Sequence, residues 1–185
     1  SGVPVYNGLT DLYHPTQILA DLQTMAENFG TLKGRKIAYV GDARNNVARS
    51  LMIGCAKLGL HFTAVAPPEL TPDAFSVDQA REFAADSGSK IEITTDPNIG
   101  VQGADAVYTD VWVSMGEEDK AAGRLTLLEP YRVTQAMMEA TGKPESIFLH
   151  CLPAVRGNEM TDEVIEGAQS RVFDEAENRK HTIKA

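Results

Sequence analysis

Four short strings in this sequence carry side chains able to do chemistry: His14-Pro15-Thr16-Gln17, Gly41-Asp42-Ala43-Arg44-Asn45-Asn46, Asp110-Val111-Trp112-Val113-Ser114-Met115-Gly116 and His150-Cys151-Leu152-Pro153. Arg179 follows in Glu177-Asn178-Arg179. Asp110 offers a carboxylate that can hold an ammonium, and Asn46 offers amide donors for a carboxylate lying over a helix N-terminus, where the dipole favours an anion. Asn45, its neighbour, reads better as a helix cap. Cys151 offers a thiol, although a free cysteine is often only a small buried hydrophobe. Alone, His14 before Pro15 would be an ordinary helix opening, and Arg179 beside Lys180 and His181 one of several surface charges. The loop after Gly41 follows a strand and opens a helix, yet it has Ala43, Asn45 and Asn46 where a dinucleotide site needs glycines. No metal-ligating cluster appears, and no metal and no cofactor are expected.

These strings need a scaffold, and the rest of the chain supplies its pattern. Apolar runs at 36–41, 61–66, 91–94, 105–109, 146–150 and 171–173 alternate with segments of helical period at 15–28, 46–58, 74–86, 131–140 and 161–166. In the second helix Leu51, Ala56 and Leu58 read as much of the inward stripe. The opening Val-Pro-Val-Tyr-Asn-Gly reads as strand-like, and His-Thr-Ile-Lys-Ala at the end as part of a further helix. Strands alternating with crossover helices give an α/β class, a doubly wound, Rossmann-like parallel sheet in three α/β/α layers. Ligands of such sheets collect at the carboxyl ends of the strands. The polar strings follow strands, so they are expected at one edge.

With 185 residues and 43% of them hydrophobic, the chain can bury one substantial core. Its 26 acidic against 17 basic residues give a net charge of -9, which repels nucleic acid. No apolar run approaches the roughly 20 residues of a membrane span. No nucleic acid and no membrane are expected as partners, and the expected location is cytoplasmic. Cys55 and Cys151 are expected as reduced thiols.

Taken together in this order, His14 to Gln17 with the following Ile18-Leu19-Ala20-Asp21, DVWVSMG from Asp110 and HCLP from His150 resemble the signature segments of ornithine carbamoyltransferases. The resemblance extends over residues 7–185 and includes FDEAENRKHTIKA at the end. It implies the ornithine-binding domain of an enzyme that moves the carbamoyl group of carbamoyl phosphate to the δ-amine of L-ornithine, giving citrulline and phosphate. Residues 1–30 would then include an interdomain helix. Cys151 and the Ser-Met-Gly loop point to ornithine over aspartate as the amine.

The resemblance also implies roles. Asn46, Ser114 and Met115 would receive the amino-acid end of ornithine, Asp110 its amino group, and Cys151 the reacting amine. His14, Gln17 and Arg179, with the main chain of Cys151 and Leu152, would contact the carbamoyl group. The demand on the site is clear: an alkyl amine with a pKa of about 10.4 is a free nucleophile in only roughly one molecule in a thousand at neutral pH. Trp112 and Met115 are expected to pack the loop, and Glu117, Glu118 and Asp119 to form a solvated acidic run. The family's phosphate grip, a Ser-Thr-Arg-Thr-Arg segment at a helix N-terminus, has no counterpart in these residues, so carbamoyl phosphate would need a domain outside this chain and the chain alone is expected to be inactive. The whole enzyme is expected to be a homotrimer. Two other readings stay open: a non-catalytic amino-acid-binding or assembly subunit, and a carbamoyltransferase for putrescine or an acylated ornithine.

Overall fold

The computed structural model describes residues 2–113 and 121–185. Among them, five strands form one parallel sheet in the order β3-β2-β1-β4-β5. They are β1 (Lys36–Val40), β2 (His61–Val65), β3 (Ile91–Thr94), β4 (Ala106–Thr109) and β5 (Ile147–His150). β1, β2, β4 and β5 bury nearly every residue, as strands covered on both faces must.

The helices are α1 (Pro15–Phe29), α2 (Asn46–Leu58), α3 (Ala74–Ser87), α4 (Pro97–Val101), α5 (Ala121–Leu128), α6 (Gln135–Ala140), α7 (Asp162–Ile165) and α8 (Val172–Lys184). α2 packs on α3 and α1, and α1 lies along α8, while α4 contacts β1, β2 and α6. From β1 the chain therefore winds outward in both directions. The order reverses beside β1, and the carboxyl ends of β1 and β4 flank the crevice that such a reversal opens.

Local chemistry explains where the helices begin. Asn45 accepts from the Ala48 amide at 2.8 Å and so caps α2. Asp73 caps α3 through the Ser76 amide at 2.9 Å. Pro15 stands at the first turn of α1, where a missing amide hydrogen costs nothing.

Several expectations need correction. Residues 171–173 are not a strand: Arg171 precedes α8, and Val172 and Phe173 are its first turn, buried and exposed respectively. Asp174 and Glu175 behind them suit a helix N-terminus, and only Ser170 bridges to the sheet, at Phe148. The opening residues form no strand and stay exposed. The helix expected from 131 starts at Gln135, because residues 129–131 make a 3-10 turn around Pro130 and Thr134 then caps. A helix absent from the expected set, α4, opens at Pro97, capped by Asp96 on the amides of Asn98 and Ile99. Of the stripe in α2, Leu51 and Ala56 are buried, but Leu58, in the last turn, is half-exposed on a groove shared with Leu22 and Phe83.

Gly100 shows how closely α4 approaches the sheet. A Cβ at this position would lie 2.4 Å from Val65 Cγ2 and 2.9 Å from Thr94 Cγ2. Both neighbours are β-branched residues of a strand and have little freedom to turn away. Gly100→Ala is therefore expected to lower stability by about 1–3 kcal/mol through overpacking, against alanine's better helix propensity. Urea unfolding midpoints of the two proteins check this.

Candidate active site

Because all strands run in parallel, the loops after β1, β4 and β5 leave the sheet on the same edge. Asp110, directly after β4, receives donors from two other elements there. The Cys151 thiol donates to its Oδ1 at 3.0 Å, and Asn45 Nδ2 donates to its Oδ2 at 3.1 Å. The amide of Val111 adds a bond to Oδ1 at 2.7 Å. Asn45 thus works twice: its oxygen caps α2, and its amide nitrogen reaches Asp110 and the hydroxyl of Tyr39 at 2.8 Å. Burial pushes the Cys151 pKa well above the usual thiol range, and the charge of Asp110, which accepts the thiol's hydrogen bond, pushes it further. Cys151 is therefore a thiol at neutral pH in the ligand-free site.

Backbone geometry shapes this edge. Gly41 follows β1 with φ of 130°, a conformation that glycine adopts and L side chains rarely do, and the space beside it is closed by Thr109 and Trp112 at ordinary contact distance. Trp112 is buried behind it, with the Arg132 guanidinium 6.0 Å from its ring. Leu152 holds φ of 52°, a left-handed conformation that costs a non-glycine residue about 1 kcal/mol. The turn is held from below: the Leu152 amide donates to His150 Nδ1 at 2.9 Å, and the buried His150 ring approaches Glu159 at 3.4 Å.

A second group stands where α1 meets α8. His14 Nδ1 bonds the Gly8 carbonyl at 3.0 Å, and its amide donates to Ser50 Oγ at 2.9 Å. A carbonyl only accepts, so Nδ1 carries the hydrogen and the neutral ring keeps a lone pair on Nε2. Burial lowers the His14 pKa, more than the Gly8 bond raises it, which favours that neutral ring; Arg179 and Asp110 are both near enough to act on it electrostatically, in opposite directions. Arg179 Nη1 donates to Gln17 Oε1 at 2.8 Å. Gln17 in turn gives its Nε2 hydrogens to Asp21 at 2.8 Å and Glu175 at 2.9 Å. Asp21 and Glu175 are fully buried side by side. Burial drives the Asp21 pKa far up and the charge of Glu175 drives it further, so Asp21 holds the proton of the pair; burial raises Glu175 as well, offset by the donors it collects.

A hollow of about 570 Å³ lies elsewhere, between α1, α2 and α3, lined by apolar residues such as Ile18, Leu22, Ile53 and Phe83. It has no converging ionisable groups, so the strand edge is the better place for chemistry.

Comparison with known proteins shows the family. Residues 33–185 match the family model described as aspartate/ornithine carbamoyltransferase, Asp/Orn binding domain. The chain belongs to the aspartate/ornithine carbamoyltransferase family. Ornithine carbamoyltransferases from Caldanaerobacter subterraneus subsp. tengcongensis and Pseudothermotoga lettingae are 60% and 61% identical to it over all 185 residues. The chain spans 59% of the length of each of these relatives. Among solved structures, the ornithine carbamoyltransferase from Pyrococcus furiosus superposes with a TM-score of 0.93 at 47% identity, covering 98% of this chain and 57% of that one. The Gloeobacter violaceus enzyme gives 0.90 at 48% identity, covering 99% and 60%.

Of the residues expected in this family's site, Asp110 and Cys151 touch, Gln17 and Arg179 touch, and His14 lies within electrostatic reach of both pairs. Leu152 follows Cys151 in the strained turn. Asn46 is half-buried at the first position of α2, but its Nδ2 donates to the Thr10 carbonyl at 2.8 Å, and Asn45 is the asparagine that reaches Asp110. Ser114 and Met115, with Gly116, Glu117, Glu118 and Asp119, lie outside the described residues. Tyr39, Asp21 and Glu175 escaped sequence reasoning. For Asn45 a signal existed: an N-cap uses only the side-chain oxygen, which leaves the amide nitrogen seeking an acceptor.

Two outcomes are expected. Cys151 should react slowly with iodoacetamide near pH 8, and Asp110→Asn, by removing the charge that opposes the thiolate, should move the onset of alkylation to lower pH; peptide mass mapping distinguishes it from the buried Cys55. Asp21 has a folded pKa raised above its ordinary 3.8, so the folded state binds more protons and loses stability as pH climbs above that value. Asp21→Asn, a neutral shape mimic of the protonated acid, should show a smaller decline in urea midpoint from pH 5 to pH 8.

Proposed function

We propose that this chain is the ornithine-binding part of an ornithine carbamoyltransferase, joining the carbamoyl group of carbamoyl phosphate to the δ-amine of L-ornithine. The observation that carries the reading is the pairing of Asp110 with the Cys151 thiol at 3.0 Å on the strand edge, with Arg179 and His14 electrostatically linked beside it. An ammonium approaching that pair meets a carboxylate whose remaining donors fix it in place. Asp110 holds the ammonium while its first proton passes to solvent, and Cys151 orients the free amine that results. Asn46, Ser114 and Met115 hold the α-carboxylate and α-ammonium of the amino acid.

The free amine attacks the carbonyl carbon. A C–N bond forms, the bond to the phosphate oxygen breaks, and the amine proton leaves with the phosphate, so no dedicated protein base is needed. Negative charge grows on the carbonyl oxygen, and the Arg179 guanidinium meets it. Neutral His14, with Nδ1–H given to Gly8, offers Nε2 as an acceptor for a carbamoyl N–H. The carbonyls of Cys151 and Leu152 accept in the same way, since the Leu152 amide is spent on His150. Gln17 acts through Arg179, its carboxamide being bonded at both ends.

In a protein of the relatives' full length that carries this chain, citrulline should form from ornithine and carbamoyl phosphate. Asp110→Asn should then lower kcat/KM for ornithine about 100-fold, the loss of a hydrogen-bonded charge pair of roughly 3 kcal/mol. Absence of citrulline from the unmutated protein, or putrescine carbamoylated in preference to ornithine, would overturn the reading.

A further inference from the structure

Glu175 lies one helical turn before Arg179 on α8, a spacing at which a glutamate and an arginine ordinarily pair. They do not. Glu175 turns inward and is fully buried. Its Oε1 accepts from Gln17 Nε2 at 2.9 Å and from the Tyr108 hydroxyl at 3.1 Å, and its Oε2 accepts from the His150 amide at 2.9 Å. One carboxylate thereby joins α1, β4, β5 and α8, and its last donor is the residue that opens the Cys151 turn.

Its hold on Gln17 settles the position of Arg179. The amide nitrogen of Gln17 faces the two acids, Asp21 at 2.8 Å and Glu175 at 2.9 Å. The reversed amide would push its oxygen against the charged Glu175 and turn its hydrogens on the Arg179 guanidinium, so Oε1 has to point the other way, where it accepts from Arg179 Nη1 at 2.8 Å. A guanidinium held by a neutral amide keeps its full charge. Among the described residues, no carboxylate forms an ion pair with Arg179.

We propose that Glu175 is a positioning residue for carbamoyl transfer: it orients Gln17, and through it the Arg179 guanidinium, while its own charge is kept away from that guanidinium by Tyr108 and the His150 amide. The inference rests on the carbamoyltransferase reading, and its action on the reaction runs through Arg179. Glu175→Gln keeps the volume but removes the charge and places an amide against donors.

The test is a double-mutant cycle in a protein of the relatives' full length carrying this chain. Glu175→Gln is expected to lower kcat by about 100-fold, the loss typical of a reacting group misplaced by an ångström, with KM for ornithine within about twofold. In an Arg179→Lys background the same substitution should lower kcat less than about threefold, because the group it positions is already gone. Equal fold losses in both backgrounds would overturn the proposal. Should Glu175→Gln fail to fold, Tyr108→Phe, which removes one of the three donors, should give a several-fold loss of kcat that vanishes in the Arg179→Lys background; a loss that persists there overturns it equally. If the unmutated protein makes no citrulline, the reading above fails, and the positioning is then judged by crystallography of Glu175→Gln: a guanidinium still bonded to Gln17 in its original place refutes it.

Discussion

A carboxylate taken out of water must be met by hydrogen-bond donors, and the demands of Asp110 and Glu175 largely decide how the elements at this edge are joined. Asp110 draws in Asn45 from the start of α2 and the thiol that follows β5. Glu175 draws in Gln17 from α1, Tyr108 from β4 and the backbone amide of the last residue of β5. Each unmet demand would cost about 1–3 kcal/mol or more for a charged group, so the meeting of these elements is as much electrostatic as hydrophobic. The apolar core brings the layers together; the acids fix which side chains face each other across them.

Much of the fold was legible from one chain. Five of the six expected strands stand where the apolar runs put them, and four of these, β1, β2, β4 and β5, are covered on both faces and so write themselves as continuous apolar stretches. The Val172-Phe173 pair misled for a physical reason: two adjacent apolar residues satisfy a strand and a first helical turn equally, and the acids behind them were the better guide. α4 is five residues long, too short to show a period, and only its Asp96-Pro97 start announces it.

The site was legible in part. Asp110, Cys151, Gln17, Arg179 and His14 were singled out by resemblance to the family's segments, and of them Asp110 meets Cys151 and Gln17 meets Arg179. Which asparagine reaches Asp110 depended on the direction of the chain as it enters α2: the capping residue faces the crevice, while the next one turns to the segment over the helix end. Glu175 and Asp21 were hidden for a different reason. An acid in a helix is normally solvated, and nothing in a linear sequence reveals that 154 residues apart, two of them end buried together, one holding a proton.

The engagement of Gln17 at both ends of its carboxamide narrows what can replace it. Glutamate has almost the same shape, yet it would bring a third acid against Asp21 and Glu175 and take from each the hydrogen that Gln17 donates, while its charge drew the guanidinium inward as a counter-ion. The substitution most conservative in volume is thus among the most disruptive in charge, and at this position helix and site impose a single requirement, a neutral group that donates on one side and accepts on the other.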